Sequence, residues 1–267
     1  MAHRPTLGIL GGNGWLGGAF GRALLTRGLL SPDRLAVTSS RHGDRYADWP
    51  DVVRIESPEA LLDRADIVVL ALRPAQFATL TLSLESHLVI SLMAQVSLAE
   101  LARATGATRL VRAMPNAAAE IGRSYTPWVA DTAVNADERR LVGDLLAACG
   151  PVDEVGDEHQ LDYLTALTGS GPAFPALLAA SLIEHALDQG LPEALARRAV
   201  VESLAGSLAL IRQTDADPGA IVDRFLAYGG ITTLGLESMV DHGFRDAVKE
   251  GVGAAHRGAL EGRPSSG

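Results

Sequence analysis

The sequence is poor in cysteine, in aromatic residues and in basic charge. Cys149 is the only cysteine among 267 residues, which excludes an internal disulfide and a zinc site built from several cysteines. The formal net charge of −9 argues against nucleic acid as a partner, because phosphate binding needs a concentrated basic surface. No apolar run reaches the about 20 residues that a membrane helix needs, so we expect no membrane partner.

These absences favour a globular protein of a reducing compartment. The composition, 47% hydrophobic and 21% charged, is that of an ordinary soluble protein, and the N-terminus does not resemble a secretory signal, so we expect a cytoplasmic location. Cys149 ends a helical pattern, which favours a buried apolar role over a catalytic thiol. The seven histidines lack the spacing of metal ligands, and we expect no metal.

The order of the predicted elements divides the chain near residue 157. Up to that point, short apolar runs alternate with amphipathic segments, which predicts a mainly parallel sheet with helices on both faces. Beyond it, strand-like runs stop and helical segments follow one another. We therefore predict an α/β fold, with a Rossmann-type dinucleotide-binding domain over 1–157 and an all-helical dimerisation domain over 158–267. The predicted strands are 6–11, 34–39, 66–72, 87–93, 108–114 and 124–130.

A glycine cluster follows the first predicted strand. The run Gly12-Asn-Gly-Trp-Leu-Gly17 matches the G-x-G-x-x-G pattern and lies between a strand and a helix. In that setting Gly12 allows a tight turn, Gly14 lets the backbone approach a diphosphate, and Gly17 lets the helix pack closely on the sheet. The free N–H groups of the helix start attract the phosphates. A glycine-rich turn without a ligand is the alternative. The predicted cofactor contacts here are Gly12, Asn13, Gly14, Trp15, Leu16 and Gly17.

The residues after the second predicted strand indicate which dinucleotide binds. A site for NAD usually places an acidic residue there to hold the ribose 2′-hydroxyl, and this sequence has none before Asp44. The hydroxyls of Ser39 and Ser40 and the guanidinium of Arg41 suit a 2′-phosphate instead. We predict NADPH as the cofactor, with NADH as the alternative, and a plain polar loop as the simpler interpretation of these residues.

Three later stretches, together with the glycine motif, carry a family resemblance. They are Val111-Arg-Ala-Met-Pro-Asn116, Leu164-Thr-Ala-Leu-Thr-Gly-Ser-Gly-Pro-Ala173, and Gly229-Gly-Ile-Thr-Thr-Leu-Gly-Leu236 followed by Gly243-Phe-Arg245. In order and spacing the chain resembles the pyrroline-5-carboxylate reductase family from end to end. The resemblance implies NAD(P)H-dependent reduction of 1-pyrroline-5-carboxylate to L-proline, the last step of proline biosynthesis. It also implies a C-terminal helical domain that interlocks with a partner subunit.

The resemblance extends to individual residues of the site. The run Ala71-Leu-Arg-Pro74 resembles the family loop that lines the cofactor beside the nicotinamide ribose, and Met93, Ala94 and Asn116 match residues near the cofactor. Thr232 matches the threonine whose hydroxyl meets the ring nitrogen of the substrate, while backbone at Gly230–Thr232 holds the carboxylate. The predicted cofactor contacts from this comparison are Ala71, Leu72, Arg73, Pro74, Met93, Ala94 and Asn116.

The residues before the predicted helix at 231–242 suit a small carboxylated ring. Gly229 and Gly230 leave free N–H groups at the positive end of a helix, and Thr232 and Thr233 add hydroxyls. A helix start capped by threonine is the alternative. We predict Thr232 as the catalytic residue. The predicted substrate contacts are Tyr228, Gly229, Gly230, Ile231, Thr232 and Thr233.

Four differences from the family pattern keep other functions open. Gly11 adds a glycine before the motif, Arg73 replaces a lysine, Ala227-Tyr228 stands in place of Ser-Pro, and Ile231 replaces Thr or Ala. Tyr228 either reshapes the substrate pocket or serves as the proton donor. The alternatives are therefore a related reductase acting on another cyclic imine or imino/oxo acid, and a dinucleotide-binding protein without turnover.

The helical second half predicts an oligomer. The segment 174–187 is too uniformly apolar for a helix with one solvated face, which indicates burial against another subunit. We expect a homodimer or a higher homo-oligomer with an active site shared between chains.

Overall fold

The computed structural model describes residues 5–38 and 44–261. An eight-stranded sheet forms from β1 (Leu7–Leu10), β2 (Leu35–Thr38), β3 (Val53–Ile55), β4 (Ile67–Leu70), β5 (Leu88–Ser91), β6 (Arg109–Ala113), β7 (Thr126–Ala130) and β8 (Val152–Glu154). The strand order is β3-β2-β1-β4-β5-β6-β7-β8, and the pairs are parallel except β6 with β7. The first six strands follow the doubly wound order of dinucleotide-binding folds, which confirms the predicted fold class.

The central strands bury side chains on both faces of the sheet. In β4, Ile67 and Val69 belong to the core on one face with Phe20 of the first helix, whereas Val68 and Leu70 belong to the core on the opposite face. Because successive side chains of a strand point to opposite faces, an unbroken apolar run is the expected pattern for a strand covered by helices on both sides. This pattern explains why unbroken apolar runs located the central strands correctly.

Six helices accompany the sheet: α1 (Trp15–Thr26), α2 (Pro58–Leu62), α3 (Pro74–Phe77), α4 (Leu98–Thr105), α5 (Ala136–Leu146) and α6 (Glu158–Leu164). Side chains mark several of their starts. Ser97 and Asn135 accept hydrogen bonds from the third residue of α4 and α5, and the glutamates at those third positions bond back to the cap residue. Sequence patterns place helices at 16–28, 58–64, 97–104, 135–149 and 161–167, which overlap α1, α2, α4, α5 and α6, but they missed β3, β8 and α3.

Packing divides the chain into two compact units, one made of Met1–Pro172 with Ala255–Gly267 and the other of Ala173–Ala254. The first unit holds the sheet, helices α1–α6 and a π-helical turn, Thr165–Gly169, that follows α6. The predicted domain boundary at residues 157/158 stays a prediction. The remaining helices are α7 (Ala173–Asp188), α8 (Glu193–Thr214), α9 (Pro218–Tyr228), α10 (Ile231–Asp241) and α11 (Phe244–Glu261), the last of which extends into the first unit.

Helices α7–α10 bury very little of their surface within one chain. No residue of α7 or α9 is buried in the described chain, and Ala196 and Thr233 are the buried residues of α8 and α10. Large apolar side chains such as Leu177 and Leu234 are 70% and 69% exposed. An apolar surface of this kind is rarely left open on a monomer, so the exposure of these helices favours a covering partner.

One stretch, Glu158–Asp188, is long and apolar enough by composition to cross a membrane. The prediction made from unbroken apolar runs did not identify it. The stretch is interrupted by the π-helical turn at Thr165–Gly169, and α7 begins after that interruption. One such segment is weak evidence for a membrane span, because helices of soluble proteins have the same composition.

Candidate functional site

The loop between β1 and α1 approaches the end of β4 very closely. Gly11 has φ +85°, and a Cβ placed on it would overlap the carbonyl oxygen of Ala71 and lie 2.9 Å from its carbonyl carbon. The Gly11 N–H donates to the Thr38 hydroxyl at the end of β2, at 2.8 Å. The positive φ therefore falls on the extra glycine before the motif, a requirement that motif matching did not reveal.

The motif glycines allow further close approaches. A Cβ on Gly12 would lie 2.7 Å from Cβ of Val37 in β2, and one on Gly17 would lie 2.5 Å from the Gly11 carbonyl oxygen. Gly14, the residue before α1, provides no side-chain cap, and among the described residues the first amides of α1 have no hydrogen-bond partner outside the helix. Such unpaired amides at a helix start favour an anionic ligand.

The segment after β4 contacts this loop. The Ala71 N–H donates to the Leu10 carbonyl at 2.9 Å, and the Leu72 side chain lies beside Gly11. Arg73 and Pro74 are exposed where α3 begins, and the Arg73 N–H donates to the Gln76 side chain at 3.1 Å. Because β1 and β4 are the neighbours at which the strand order reverses, these residues lie at the crevice where such sheets bind ligands.

The other predicted cofactor residues differ in how they are placed. Met93 is 2% exposed, its side chain belongs to the core and its N–H donates to the Ser91 hydroxyl at 3.3 Å, so its carbonyl is the group left for a ligand. Ala94 is half-buried. The Asn116 side chain accepts from the Ala118 N–H and donates to the Thr168 carbonyl, both at 2.9 Å, so it joins the loop after β6 to the π-helical turn. Ser39, Ser40 and Arg41 lie outside the described residues.

Gln95 has a role that the sequence patterns did not indicate. It is a non-glycine residue with φ +65°, directly after Ala94, and its side-chain amide donates to the Gly258 carbonyl of α11 at 3.0 Å. A non-glycine residue in this conformation persists only where its surroundings hold it. The loop after β5 is thus held against the end of α11.

In the second unit, α10 begins without a side-chain cap. Gly229 has φ +72° and ends α9, and Gly230 precedes α10 with no capping hydrogen bond from the described residues. Thr232 is exposed, whereas the buried Thr233 hydroxyl donates to the Phe225 carbonyl at 2.8 Å. The Thr233 hydroxyl is therefore used to join α10 to α9, and Thr232 is the hydroxyl of the pair that has no partner among the residues the structure describes.

Two large side chains, one aromatic and one aliphatic, are exposed at the same turn. Tyr228 is 85% exposed and Ile231 is 89% exposed. The Tyr228 ring atoms would lie 3.3 Å from a Cβ on Gly230, so the ring is adjacent to the backbone that precedes α10. A group bound at the start of α10 meets a phenol and an aliphatic side chain.

Cys149 offers no reactive thiol. It is 1% exposed, and burial raises the pKa of its thiol to about 12. A thiol with such a pKa stays protonated at neutral pH, and the thiolate is the nucleophilic form. The interpretation of Cys149 as a buried apolar residue is confirmed.

The strand order and the glycine loop with its uncapped helix define a dinucleotide-binding protein of the Rossmann class. Residues 6–95 match the family model described as NADP oxidoreductase, coenzyme F420-dependent, and residues 158–261 match the model for pyrroline-5-carboxylate reductase dimerisation. The pyrroline-5-carboxylate reductase of Synechocystis sp. is 32% identical over 263 residues, which cover 96% of this chain and 97% of the relative. The chain belongs to the pyrroline-5-carboxylate reductase family.

Solved structures agree with this assignment. The pyrroline carboxylate reductase of Plasmodium falciparum with NADP bound has a TM-score of 0.85 and 25% identity, covering 96% of this chain and 97% of that one. The pyrroline-5-carboxylate reductase of Coxiella burnetii has a TM-score of 0.86 and 26% identity, covering 97% and 98%. The family resemblance carried by the motifs is therefore confirmed.

Proposed function

We propose that the protein reduces 1-pyrroline-5-carboxylate to L-proline with NADPH as the hydride donor. The observation that carries this proposal is similarity to a pyrroline-5-carboxylate reductase over 96% of the chain, at 32% identity. The match includes both the glycine loop before α1 and the Gly229–Thr233 turn before α10. A match confined to the nucleotide-binding part would support only a dinucleotide-binding protein.

The residues before α1 suit the cofactor. The unpaired amides at the start of α1 bind the diphosphate, and the glycines at positions 11, 12 and 17 keep side chains out of the space between β1, β2 and β4. When bound, NADPH supplies the hydride. The bound NADP of the Plasmodium falciparum relative supports this choice of cofactor.

The turn before α10 suits the imino acid. Its uncapped amides hold the carboxylate, and the exposed Thr232 hydroxyl contacts the ring nitrogen, where it orients the imine and relays to it a proton that water supplies. Thr233 acts indirectly, because its hydroxyl holds α10 against α9. Positioning and polarisation are the tasks of the protein, since the cofactor carries out the reduction.

Tyr228 favours a second candidate, a reductase of the same chemistry acting on a different cyclic imine or imino/oxo acid. The exposed phenol beside Gly230 changes the shape and polarity of the substrate site. It also provides a second hydroxyl for proton transfer to the imine. Both consequences would alter which ring the site accepts.

Steady-state oxidation of NADPH with a panel of cyclic imines tests the proposal. Turnover with 1-pyrroline-5-carboxylate that exceeds turnover with the other imines supports it. Faster turnover with a larger or differently substituted imine supports the second candidate. Binding of NADPH without turnover of any imine would indicate a dinucleotide-binding protein that is not a reductase.

The preference for NADPH over NADH is tested at Arg41. If its guanidinium holds the 2′-phosphate, Arg41→Ala weakens NADPH binding much more than NADH binding, because NADH lacks that phosphate. Calorimetric titration of both cofactors measures the two dissociation constants. Equal weakening contradicts the assignment of Arg41.

The match to the dimerisation model supports a homo-oligomer. A homodimer is the simplest assembly that covers the exposed apolar side chains of α7–α10. Light scattering at micromolar concentration distinguishes a dimer from a larger assembly, and a stable monomer contradicts the proposal. The cytoplasmic location stays a prediction.

A further inference from the structure

Tyr46 lies directly beneath the glycine loop, although it belongs to the segment after β2. Its side chain is completely buried. Its hydroxyl is 3.1 Å from the Gly12 carbonyl oxygen and 3.3 Å from the Gly17 carbonyl oxygen, and donates its one proton between them. Burial raises the pKa of Tyr46 well above its ordinary value, so the hydroxyl remains a donor throughout the physiological range.

The backbone of Tyr46 is fixed from the other side. Its N–H donates to the Asp44 carboxylate at 2.9 Å, and its carbonyl accepts from the Arg54 guanidinium at 2.9 Å. Arg54 and Asp44 also form an ion pair at 2.8 Å. Tyr46 is thus held at both ends: this network fixes its backbone, and the glycine loop fixes its hydroxyl.

The hydroxyl controls peptide groups that a bound diphosphate would meet. In a planar trans peptide the carbonyl of one residue and the N–H of the next point in opposite directions. A Gly12 carbonyl held by the phenol therefore directs the Asn13 N–H away from the core. Within the described residues this N–H has no protein partner. The Gly17 carbonyl lies in the first turn of α1, so the same hydroxyl also holds the helix start.

We propose that Tyr46 is a positioning residue for NADPH, whose hydroxyl orients the Asn13 N–H toward the diphosphate and holds the first turn of α1. The inference rests on the proposed function and assigns to it a residue outside the glycine motif. A second glycine supports it: a Cβ on Gly21 would overlap the Tyr46 hydroxyl and lie 3.0 Å from its Cε1 and Cζ atoms. Because Gly21 has no side chain, the Tyr46 hydroxyl has room beside α1.

The test compares Tyr46→Phe with Tyr125→Phe in the full-length protein. Tyr125 is half-buried and directly precedes β7, so Y125F makes the same chemical change away from the glycine loop. We expect the dissociation constant of NADPH to rise about tenfold in Y46F, because the Asn13 N–H and the first turn of α1 lose their fixed orientation, and to stay unchanged in Y125F. The KM for NADPH rises with it, while kcat at saturating NADPH stays within about twofold of wild type.

Gly21→Ala provides an independent route to the same loss. Its added methyl displaces the phenol, so we expect a similar weakening of NADPH binding. The double variant Y46F/G21A is expected to bind no more weakly than either single variant, because both changes remove one interaction. If the two losses of NADPH affinity multiply in the double variant, the proposal is wrong. If Y46F does not fold, the NADPH titration of G21A decides.

The outcomes separate this inference from the proposed function. If wild type binds NADPH and Y46F binds it equally well, with or without a lower melting temperature, the hydroxyl has only a structural role and the inference is wrong. If wild type does not bind NADPH, the proposed function and the inference both fail. Weaker binding in Y46F and G21A with unchanged binding in Y125F supports both.

Discussion

Replacing Gly11 by alanine is expected to damage both stability and NADPH binding. Gly11 has φ +85°, which costs an alanine about 1–2 kcal/mol. The new Cβ would also lie 2.9 Å from the Ala71 carbonyl carbon, about 0.6 Å closer than the ~3.5 Å at which carbon atoms make contact. Relieving this overlap moves the loop after β1 or the segment after β4, at a cost of about 1–3 kcal/mol.

Gly28→Ala is the matched control. Gly28 has φ +66°, but a Cβ on it meets no atom within 4 Å, so G28A carries the conformational cost without the overlap. We expect G28A to lose about 1–2 kcal/mol and G11A about 2–5 kcal/mol of unfolding free energy. At about 2–4 °C per kcal/mol, the melting temperature of G11A should lie several degrees below that of G28A.

The binding assay gives the sharper distinction. Calorimetric titration with NADPH should show wild-type affinity for G28A, because Gly28 lies at the far end of α1. For G11A the dissociation constant should rise at least about tenfold, since the two segments that move both border the crevice. Equal stability losses in the two variants, together with unchanged NADPH affinity in G11A, would refute the assignment of Gly11 to a close approach at the cofactor site.

The remaining predictions concern Thr232, Thr233 and Cys149. Because the proposed function assigns the exposed Thr232 hydroxyl to the imine, Thr232→Ala should lower turnover by more than about tenfold without changing NADPH affinity, and unchanged turnover removes Thr232 from the mechanism. Thr233→Ala should instead lower the melting temperature, because it removes the hydrogen bond to Phe225. Cys149 should not react with a thiol reagent at pH 8 until the chain is unfolded in guanidinium. Because the pKa of its thiol rises from 9.0 to about 12 on folding, the thiol ionises first in the unfolded chain. Its contribution to stability is therefore complete below pH 9 and is lost as pH rises toward 12, so urea unfolding should show a smaller alkaline loss for Cys149→Ala than for wild type.

Much of the fold was predictable because the signals are local. The unbroken apolar run of β4 indicates a strand buried on both faces, and Ser97 and Asn135 mark helix starts with a glutamate three residues later. The edge strands β3 and β8 escaped prediction because each has three residues, none of them buried. Their pairing depends on a neighbouring strand, and their own residues show no periodic pattern that predicts a strand.

The candidate site was likewise predictable only in part from the sequence. A motif can be recognised from residue types at fixed spacing, so the glycines before α1 and the Gly229–Thr233 turn were identifiable without a structure. Spacing does not show which hydroxyl is free, and only the fold assigns the Thr233 hydroxyl to Phe225 and the Asn116 side chain to Ala118 and Thr168.

The sequence by itself determined the alternation of strands and helices, the starts of the capped helices and the position of the glycine loop. Only the tertiary structure decided that Gly11 bears the positive φ, because the carbonyl of Ala71, sixty residues later, occupies the space a side chain would need. It alone placed the Tyr46 hydroxyl against Gly12 and Gly17. Contacts between residues far apart in the chain arise when strands pair and layers pack. Local sequence patterns therefore do not predict them.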